Sequence, residues 1–118
     1  MGTWLNSTST GGGNAKQDTN AQVMHAVETA LGAVGQDFAD SADDTTLGAD
    51  CDQLSQASLA FPQPDSPDAT VNDNLKKASD YLISGSVDCN VDNQAASTEL
   101  NKAIDYINTA VARIKSLG

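Results

Sequence analysis

Apolar residues recur every three or four positions along much of this chain, the interval that lines one face of an α-helix. The pattern first appears over about residues 17 to 41, through Val23, Val27, Leu31, Val34 and Phe38. After a polar, aspartate-rich turn it resumes over about residues 46 to 60, through Leu47, Cys51, Leu54 and Phe61. The spacing therefore predicts a long helix and a shorter one in the first half of the chain.

Two more helical patterns follow the sequence FPQPDSP at residues 61–67. Three prolines in this segment forbid a continuous helix and favour an extended path. We predict that Ser66 caps the third helix and that Pro67 lies in its first turn, with the helix ending near Gly85 after covering about residues 67 to 85. The fourth helix carries Ala96, Leu100, Ile104, Ile107, Val111 and Ile114 towards the C-terminus.

No segment alternates apolar and polar residues between turns as a strand would, so the predicted fold class is all-α. Short connections place successive helices antiparallel to each other, which predicts an up-down four-helix bundle over residues 17–118. The extended proline-rich segment connects its second and third helices. Gly32 and Gly35 weaken the first helix, and we interpret them as positions that let a neighbouring helix pack closely.

Residues 1–16 have no apolar period and contain three successive glycines, so they are predicted to form a flexible N-terminal tail or tether. Trp4 and Leu5 are the apolar anchors of this tail. Two interpretations stay open for them. They fold back onto the core, or they end a segment that leads to a membrane.

Charge and length limit the possible partners. Six Lys and Arg residues against sixteen Asp and Glu residues give a net charge of −10, which repels nucleic acid and anionic membranes. We therefore expect no nucleic-acid partner. The chain has no run of 18 or more apolar residues and no signal-peptide pattern, so membrane association is expected only through an anchor that precedes residue 1. Its 118 residues suffice for one domain with its own core.

Cys51 and Cys89 are the two cysteines of the chain, the smallest number that can form an internal disulfide. In a simple helical hairpin they would miss each other by about 20 Å along the helix axes. An extended seven-residue segment at 61–67 spans roughly 20 Å and brings the cysteines level. We therefore predict a Cys51–Cys89 disulfide, and two unrelated buried thiols are the alternative. A disulfide favours an extracytoplasmic location, because the cytosol keeps thiols reduced.

Several stretches carry a resemblance: CDQL at residues 51–54, then FPQPDSP, then YLISGSVDC and a final helix rich in Ala, Leu and Ile. Together they resemble small helical extracytoplasmic domains of actinobacterial secreted, lipoprotein or membrane-anchored proteins. The resemblance covers residues 47–118 and, less clearly, the first predicted helix. Leu75 and Val91-Asp92 stand where such sequences often carry an aromatic residue and a Gly-Asp pair. The resemblance implies export and a bond between the two cysteines, and it carries no activity and no binding residues.

The sequence around Cys89 contains an acidic pattern that could hold a calcium ion. Oxygen-bearing side chains fall at positions 1, 3, 5, 7 and 12 of an EF-hand-like loop, at Asp88, Asn90, Asp92, Gln94 and Glu99. Asn93 occupies the sixth position, where the sharp turn normally takes glycine. The alternative is a disulfide followed by a last helix that Asp92 or Asn93 caps. No other cofactor is predicted.

Catalytic signatures do not occur in the sequence, so we predict that the protein is not an enzyme. His25 is the single histidine, which leaves a histidine-based zinc site or nucleophile without a partner, and no phosphate loop, nucleophile elbow or CxxC motif is present. Asp37, Asp40, Asp43 and Asp44 form an acidic cluster that we interpret as a solvated turn.

These observations favour a non-enzymatic extracytoplasmic module that binds a partner protein or small ligand, or that has a structural role. A partner would contact a groove between helices or the apolar side chains of Phe61, Pro62 and Pro64 in the proline segment. A packed connector is the alternative for those three residues. A calcium-binding domain and a carboxylate-based enzyme are the other functions considered.

Overall fold

The computed structural model of the protein describes residues 1–8 and 18–117 and is built from helices. Five helices follow in chain order: α1 (Gly2–Leu5), α2 (Asn20–Asp40), α3 (Asp44–Leu59), α4 (Ala69–Asp88) and α5 (Asn93–Ser116). Over these described residues the β pairing amounts to one isolated bridge between Thr8 and Thr19. The all-α prediction is therefore confirmed, and α2 to α5 correspond to the four helices that the apolar spacing predicts.

Side-chain caps start the four long helices. Thr19 and Gln22 form a reciprocal capping box at the start of α2, so two backbone N–H groups that lack helical partners are satisfied. Asp43, Asp68 and Asp92 cap α3, α4 and α5 by accepting a hydrogen bond from a backbone N–H three residues later. The predicted Asp92 cap is thus confirmed.

The predicted limits of the third helix were wrong at both ends. Asp68, and not Ser66, is the N-cap of α4, and both Ser66 and Pro67 precede the helix. The Ser66 hydroxyl instead donates to Asn72 Oδ1 at 2.7 Å, which ties the proline segment to the first turn of the helix. At the other end α4 continues beyond Gly85 to Asp88. Helical packing around Gly85 overrides its low propensity, which by itself costs only about 1 kcal/mol.

A single apolar core joins the long helices. Its fully buried side chains come from each of them: Val27, Val34, Leu54, Val71, Leu75, Leu82 and Ile107. The packing connects α2 with α3, α3 with α4, α4 with α5, and α2 with α5. On the outer side of α4 and α5, the rings of Tyr81 and Tyr106 stack at a centroid distance of 5.8 Å. The ammonium groups of Lys77 and Lys102 lie over Tyr106 and Tyr81 respectively, at 5.6 and 5.3 Å.

The glycine that permits close helix packing is Gly85, and the prediction for Gly32 and Gly35 was wrong. A methyl group added at Gly32 or Gly35 would meet nothing within 4 Å. At Gly85 it would lie 2.6 Å from Leu100 Cγ, because α4 and α5 approach each other closely there. The absence of a side chain at Gly85 therefore makes room for Leu100.

The beginning of the chain contacts the core through Trp4. This side chain is buried, and its Nε1–H donates to Asp65 Oδ1 at 2.9 Å. Asn20 Nδ2 in turn donates to the Trp4 carbonyl at 2.9 Å, so α1 is attached both to α2 and to the proline segment. Trp4 thus folds back onto the core. Residues 9–17, which include the second half of the predicted tail, lie outside the described residues.

Within residues 1–8 and 18–117, no helix combines the length and the apolar character needed to cross a bilayer.

Candidate functional site

The predicted disulfide is present between Cys51 and Cys89, and it joins the middle of α3 to the C-cap of α4. The Cα atoms of the two cysteines are 5.8 Å apart, and both side chains are buried. Residues 61–67 lie outside the helices, as the predicted extended segment between the two cysteine-bearing helices requires. The disulfide therefore connects two elements that the proline segment separates along the chain.

The proline segment itself offers less apolar surface than predicted. Phe61 is 3% exposed and belongs to the core cluster, and Pro62 is also buried. Only Pro64 of the three proposed contact residues is exposed. Phe61 and Pro62 therefore pack inward, as in the alternative of a packed connector, and Pro64 is the accessible residue of the three.

The candidate calcium ligands lie in a different backbone arrangement from an EF-hand loop. Asp88 is the last residue of α4, and α5 already begins at Asn93. Gln94 and Glu99 are therefore helical, whereas an EF-hand wraps about twelve residues of loop around the ion. The carboxylate of Asp92 accepts a hydrogen bond from the Ala95 N–H at 3.1 Å and so serves as the helix cap.

Two members of the candidate calcium set do come together. The carboxyl of Asp88 beside that of Glu99 is the main reason that the pKa of Glu99 lies above its ordinary value. Partial burial and the negative charges of Asp88 and Asp92 raise it further. Asn90 is exposed in the connection between the helices. Among the described residues, no three His, Cys, Asp or Glu side chains are grouped so that they could hold a metal ion.

Calcium is expected to leave the thermal unfolding of the oxidised protein unchanged, because a helix occupies the place of the predicted loop. The measurement compares Tm in 5 mM calcium and in excess EDTA at matched ionic strength. A site with a Kd of about 0.1 mM would add roughly 2 kcal/mol, which the comparison would detect. A rise in Tm that disappears in the variant Asp88→Asn/Glu99→Gln would contradict this expectation and restore the calcium hypothesis.

A second pair of carboxyl groups, which the sequence did not reveal, joins α2 to α3. The carboxyl of Asp50 in α3 is the largest cause that raises the pKa of Asp37, in the last turn of α2, to about 6. Burial, Asp50, Asp40 and Asp43 act in the same direction. Asp37 is thus not simply part of a solvated acidic turn. Sequence spacing carries no signal for the pairing, because it depends on how α2 and α3 are placed side by side.

Each of the two carboxyl pairs has one member next to a cysteine of the disulfide. Asp50 immediately precedes Cys51, and Asp88 immediately precedes Cys89. Since consecutive Cα atoms are about 3.8 Å apart, the Cα atoms of Asp50 and Asp88 are at most about 13 Å from each other. A groove of about 440 Å³ at this end of the molecule is lined by both interhelical turns, including Asp37 and Leu47 on one side and Asn93 on the other.

The opposite end of α4 and α5 carries an ion pair. Arg113 donates from Nε and from a terminal nitrogen to the two carboxylate oxygens of Asp68, at 3.2 and 3.1 Å. The Arg113 hydrogen bonds, followed by the Val71 N–H, hold the pKa of Asp68 below its ordinary value. The carboxylate that caps α4 therefore also attaches the last turn of α5.

An apolar groove lies between α2 and α5. Its volume is about 210 Å³, and its lining residues are Glu28, Leu31, Gly32, Ile104, Ile107 and Asn108. The floor consists of Leu31 and Ile107, which are buried, while the exposed Glu28 and Asn108 supply polar groups at the rim. This arrangement resembles a small binding groove, with apolar walls and few polar groups. His25, also on α2, is an exposed residue.

Comparisons with known proteins add no assignment: no family model, no curated protein and no solved structure matches the chain. The candidate site consists of two carboxyl pairs, each with a member next to a cysteine of the disulfide, and one apolar groove between α2 and α5.

Proposed function

We propose that this protein is a non-enzymatic extracytoplasmic helical module that binds a partner through the groove between α2 and α5. The observation that carries this proposal is the groove, in which apolar residues from two helices form a floor beneath a polar rim. Its volume of about 210 Å³ is below the range of typical small-molecule sites. The groove is therefore suited to a single apolar side chain of a partner protein or to a small apolar ligand group.

In this proposal α2 to α5 form an antiparallel up-down four-helix bundle. The contacts between successive helices, together with the contact between α2 and α5, support a closed arrangement of four helices. The short connections at residues 41–43 and 89–92 support antiparallel neighbours.

An extracytoplasmic location is the second part of the proposal. It is supported by the disulfide, whose two cysteines are buried and hence shielded from exchange with external thiols. The resemblance to actinobacterial secreted, lipoprotein or membrane-anchored domains points the same way. The net charge of −10 suits a surface that stays clear of nucleic acid and anionic membranes.

Titration of ¹⁵N-labelled oxidised protein with indole tests the groove, since indole is a small apolar probe with one hydrogen-bond donor. We expect chemical-shift changes at the amides of Leu31, Gly32, Ile104 and Ile107. The variant Gly32→Leu adds an apolar side chain at the groove lining, where its Cβ has room because nothing lies within 4 Å of an added methyl group. In this variant the shift changes should disappear.

The matched control is Gly35→Leu, which lies on the same helix, is equally open and does not line the groove. It should retain the indole response. If indole perturbs no localised set of amides in the wild-type protein, or if both variants abolish the response equally, the groove is not a binding site and a purely structural role is favoured.

A further inference from the structure

Three large apolar side chains form an exposed stripe along the end of α4 and into the turn that follows it. Ile83, Val87 and Val91 are 56%, 69% and 82% exposed. They are four residues apart, which places them on one side of a helix. The turn keeps this spacing beyond the helix, since the Val91 N–H still donates to the Asp88 carbonyl at 3.0 Å. The stripe therefore extends over about 12 Å, or roughly two helical turns.

The stripe faces away from the core. On the inner side of α4, Cys89 is bonded to Cys51 of α3, and Gly85 lies against Leu100 of α5. Two residues turn a helix by about 200°, so Val87, which is two positions from both Gly85 and Cys89, points in the opposite direction. Apolar side chains on this outer side add nothing to the burial that stabilises the fold, and a contiguous exposed apolar patch is typical of an interaction surface.

The stripe leads into a concave surface at the disulfide end of the molecule. Val91 also lines a groove of about 770 Å³ between the start of α3 and the turn that joins α4 to α5. Leu47 contributes a second apolar side chain to this groove, and Asp44 and Asp92 contribute carboxylates. One elongated partner can therefore contact the stripe and the groove together.

The charge around this surface has one sign. Residues 37–54 contain the turn between α2 and α3, and residues 80–99 contain the turn between α4 and α5. The first range has six Asp residues, the second has four Asp and Glu residues, and neither has a Lys, Arg or His. The basic residues of α4 and α5 all lie outside these ranges: Lys76, Lys77, Lys102, Arg113 and Lys115. A cationic partner therefore meets complementary charge here, whereas a second copy of this acidic chain or an anionic membrane meets like charge.

We propose that the stripe of Ile83, Val87 and Val91, together with the adjoining groove at Leu47, docks a basic amphipathic helix of a partner protein. The partner helix places apolar side chains at three- or four-residue intervals along the stripe, as helices do in apolar grooves. Its Lys and Arg side chains lie next to the flanking carboxylates, of which Asp80 is the exposed one at the start of the stripe. This surface is separate from the groove between α2 and α5 and does not depend on the function proposed for that groove.

A synthetic peptide of Leu and Lys tests this surface. The peptide is about four helical turns long, carries a leucine at every third or fourth position, and has a fluorescent label for anisotropy measurements. We expect it to bind the oxidised protein saturably and to shift the backbone amides of Ile83, Val87, Val91 and Leu47 in ¹⁵N spectra. Two control peptides should bind at least about tenfold more weakly, one with each Lys replaced by Glu and one with the same composition in scrambled order.

The apolar contribution is measured with the variant Val87→Ser/Val91→Ser. Both side chains are exposed, so the change leaves the core intact, and the affinity for the peptide should fall by about tenfold or more. The matched control is Leu59→Ser on α3, which removes an apolar side chain of similar exposure, 63%, outside the stripe. Its affinity should equal that of the wild type.

The charge contribution is measured with Asp80→Lys, which should weaken peptide binding by about tenfold. Asp105→Lys makes the same change at an exposed position of α5 outside the acidic ranges, so it alters the net charge equally. It should change the affinity by less than about twofold. The variant Gly32→Leu, which alters the groove between α2 and α5, should bind the peptide like the wild type.

Absence of saturable binding below a Kd of about 1 mM would overturn the proposal. So would equal affinities for the ordered and scrambled peptides, or equal losses in Val87→Ser/Val91→Ser and Leu59→Ser. Sedimentation of the peptide-free protein distinguishes the remaining occupant. A dimer that Val87→Ser/Val91→Ser dissociates would show that a second copy of the chain covers the stripe, and would also overturn the proposal.

Discussion

Replacing both cysteines, as Cys51→Ala/Cys89→Ala, should lower the free energy of unfolding by about 3 to 4 kcal/mol. The disulfide closes a loop with a sequence separation of 38 residues, and the chain-entropy model assigns a loop of this length a stabilisation of that size. The loop contains the proline segment, part of α3 and all of α4. Without the bond the unfolded chain gains the freedom to separate these elements, while the buried contacts of the folded state change little.

Urea unfolding of the wild-type protein and the double variant at one pH gives the difference. Wild-type protein reduced with a phosphine should match the double variant, because reduction removes the same constraint. A double variant as stable as the oxidised wild type would contradict the expected role of the bond. Detection of two free thiols in the native, unreduced protein would contradict the bond itself.

Substitution of Gly85 by alanine should lower the free energy of unfolding by about 2 kcal/mol. Alanine would gain about 1 kcal/mol in helix propensity. Against this, its methyl group would lie 2.6 Å from Leu100 Cγ, and the Leu100 side chain is itself buried, so it would have to shift within the packed core. Overpacking of this kind costs up to about 3 kcal/mol, so the clash outweighs the propensity gain.

The matched control is Gly35→Ala on α2, where nothing lies within 4 Å of the added methyl group. This change should raise the stability by about 0.5 to 1 kcal/mol through helix propensity alone. Urea unfolding of both variants measures the contrast. Because the clash involves Leu100, Gly85→Ala should also cost less in a Leu100→Ala background, and equal costs in the two backgrounds would argue against the close approach of α4 and α5.

Apolar spacing predicted the four long helices to within a few residues, since one buried face every 3.6 residues is a local property of the chain. The ends were harder to predict. Ser66 and Asp68 are both good capping residues, and Asp68, which caps the helix, also pairs with Arg113 at the far end of α5, a contact that the sequence does not reveal. Gly85 was predicted to end a helix that in fact continues, because the contact with Leu100 compensates the low helix propensity of glycine.

The candidate site was only partly predictable. The disulfide followed from the count of two cysteines and from the length of an extended proline segment, both of which can be read along the chain. The pairing of Asp37 with Asp50 could not be read in this way. Its signal is the contact between carboxyl groups on two helices, and nothing in the acidic composition of the turn distinguishes a paired aspartate from a solvated one.

The sequence by itself therefore determined the helical class, the number of long helices and the bond between the cysteines, because apolar period, proline content and chain length act locally. Tertiary structure decided which residues meet between helices: Phe61 in the core, Gly85 against Leu100, and Asp37 against Asp50. These contacts depend on the relative position of α2 to α5, and that position is set by the packing of many side chains at once.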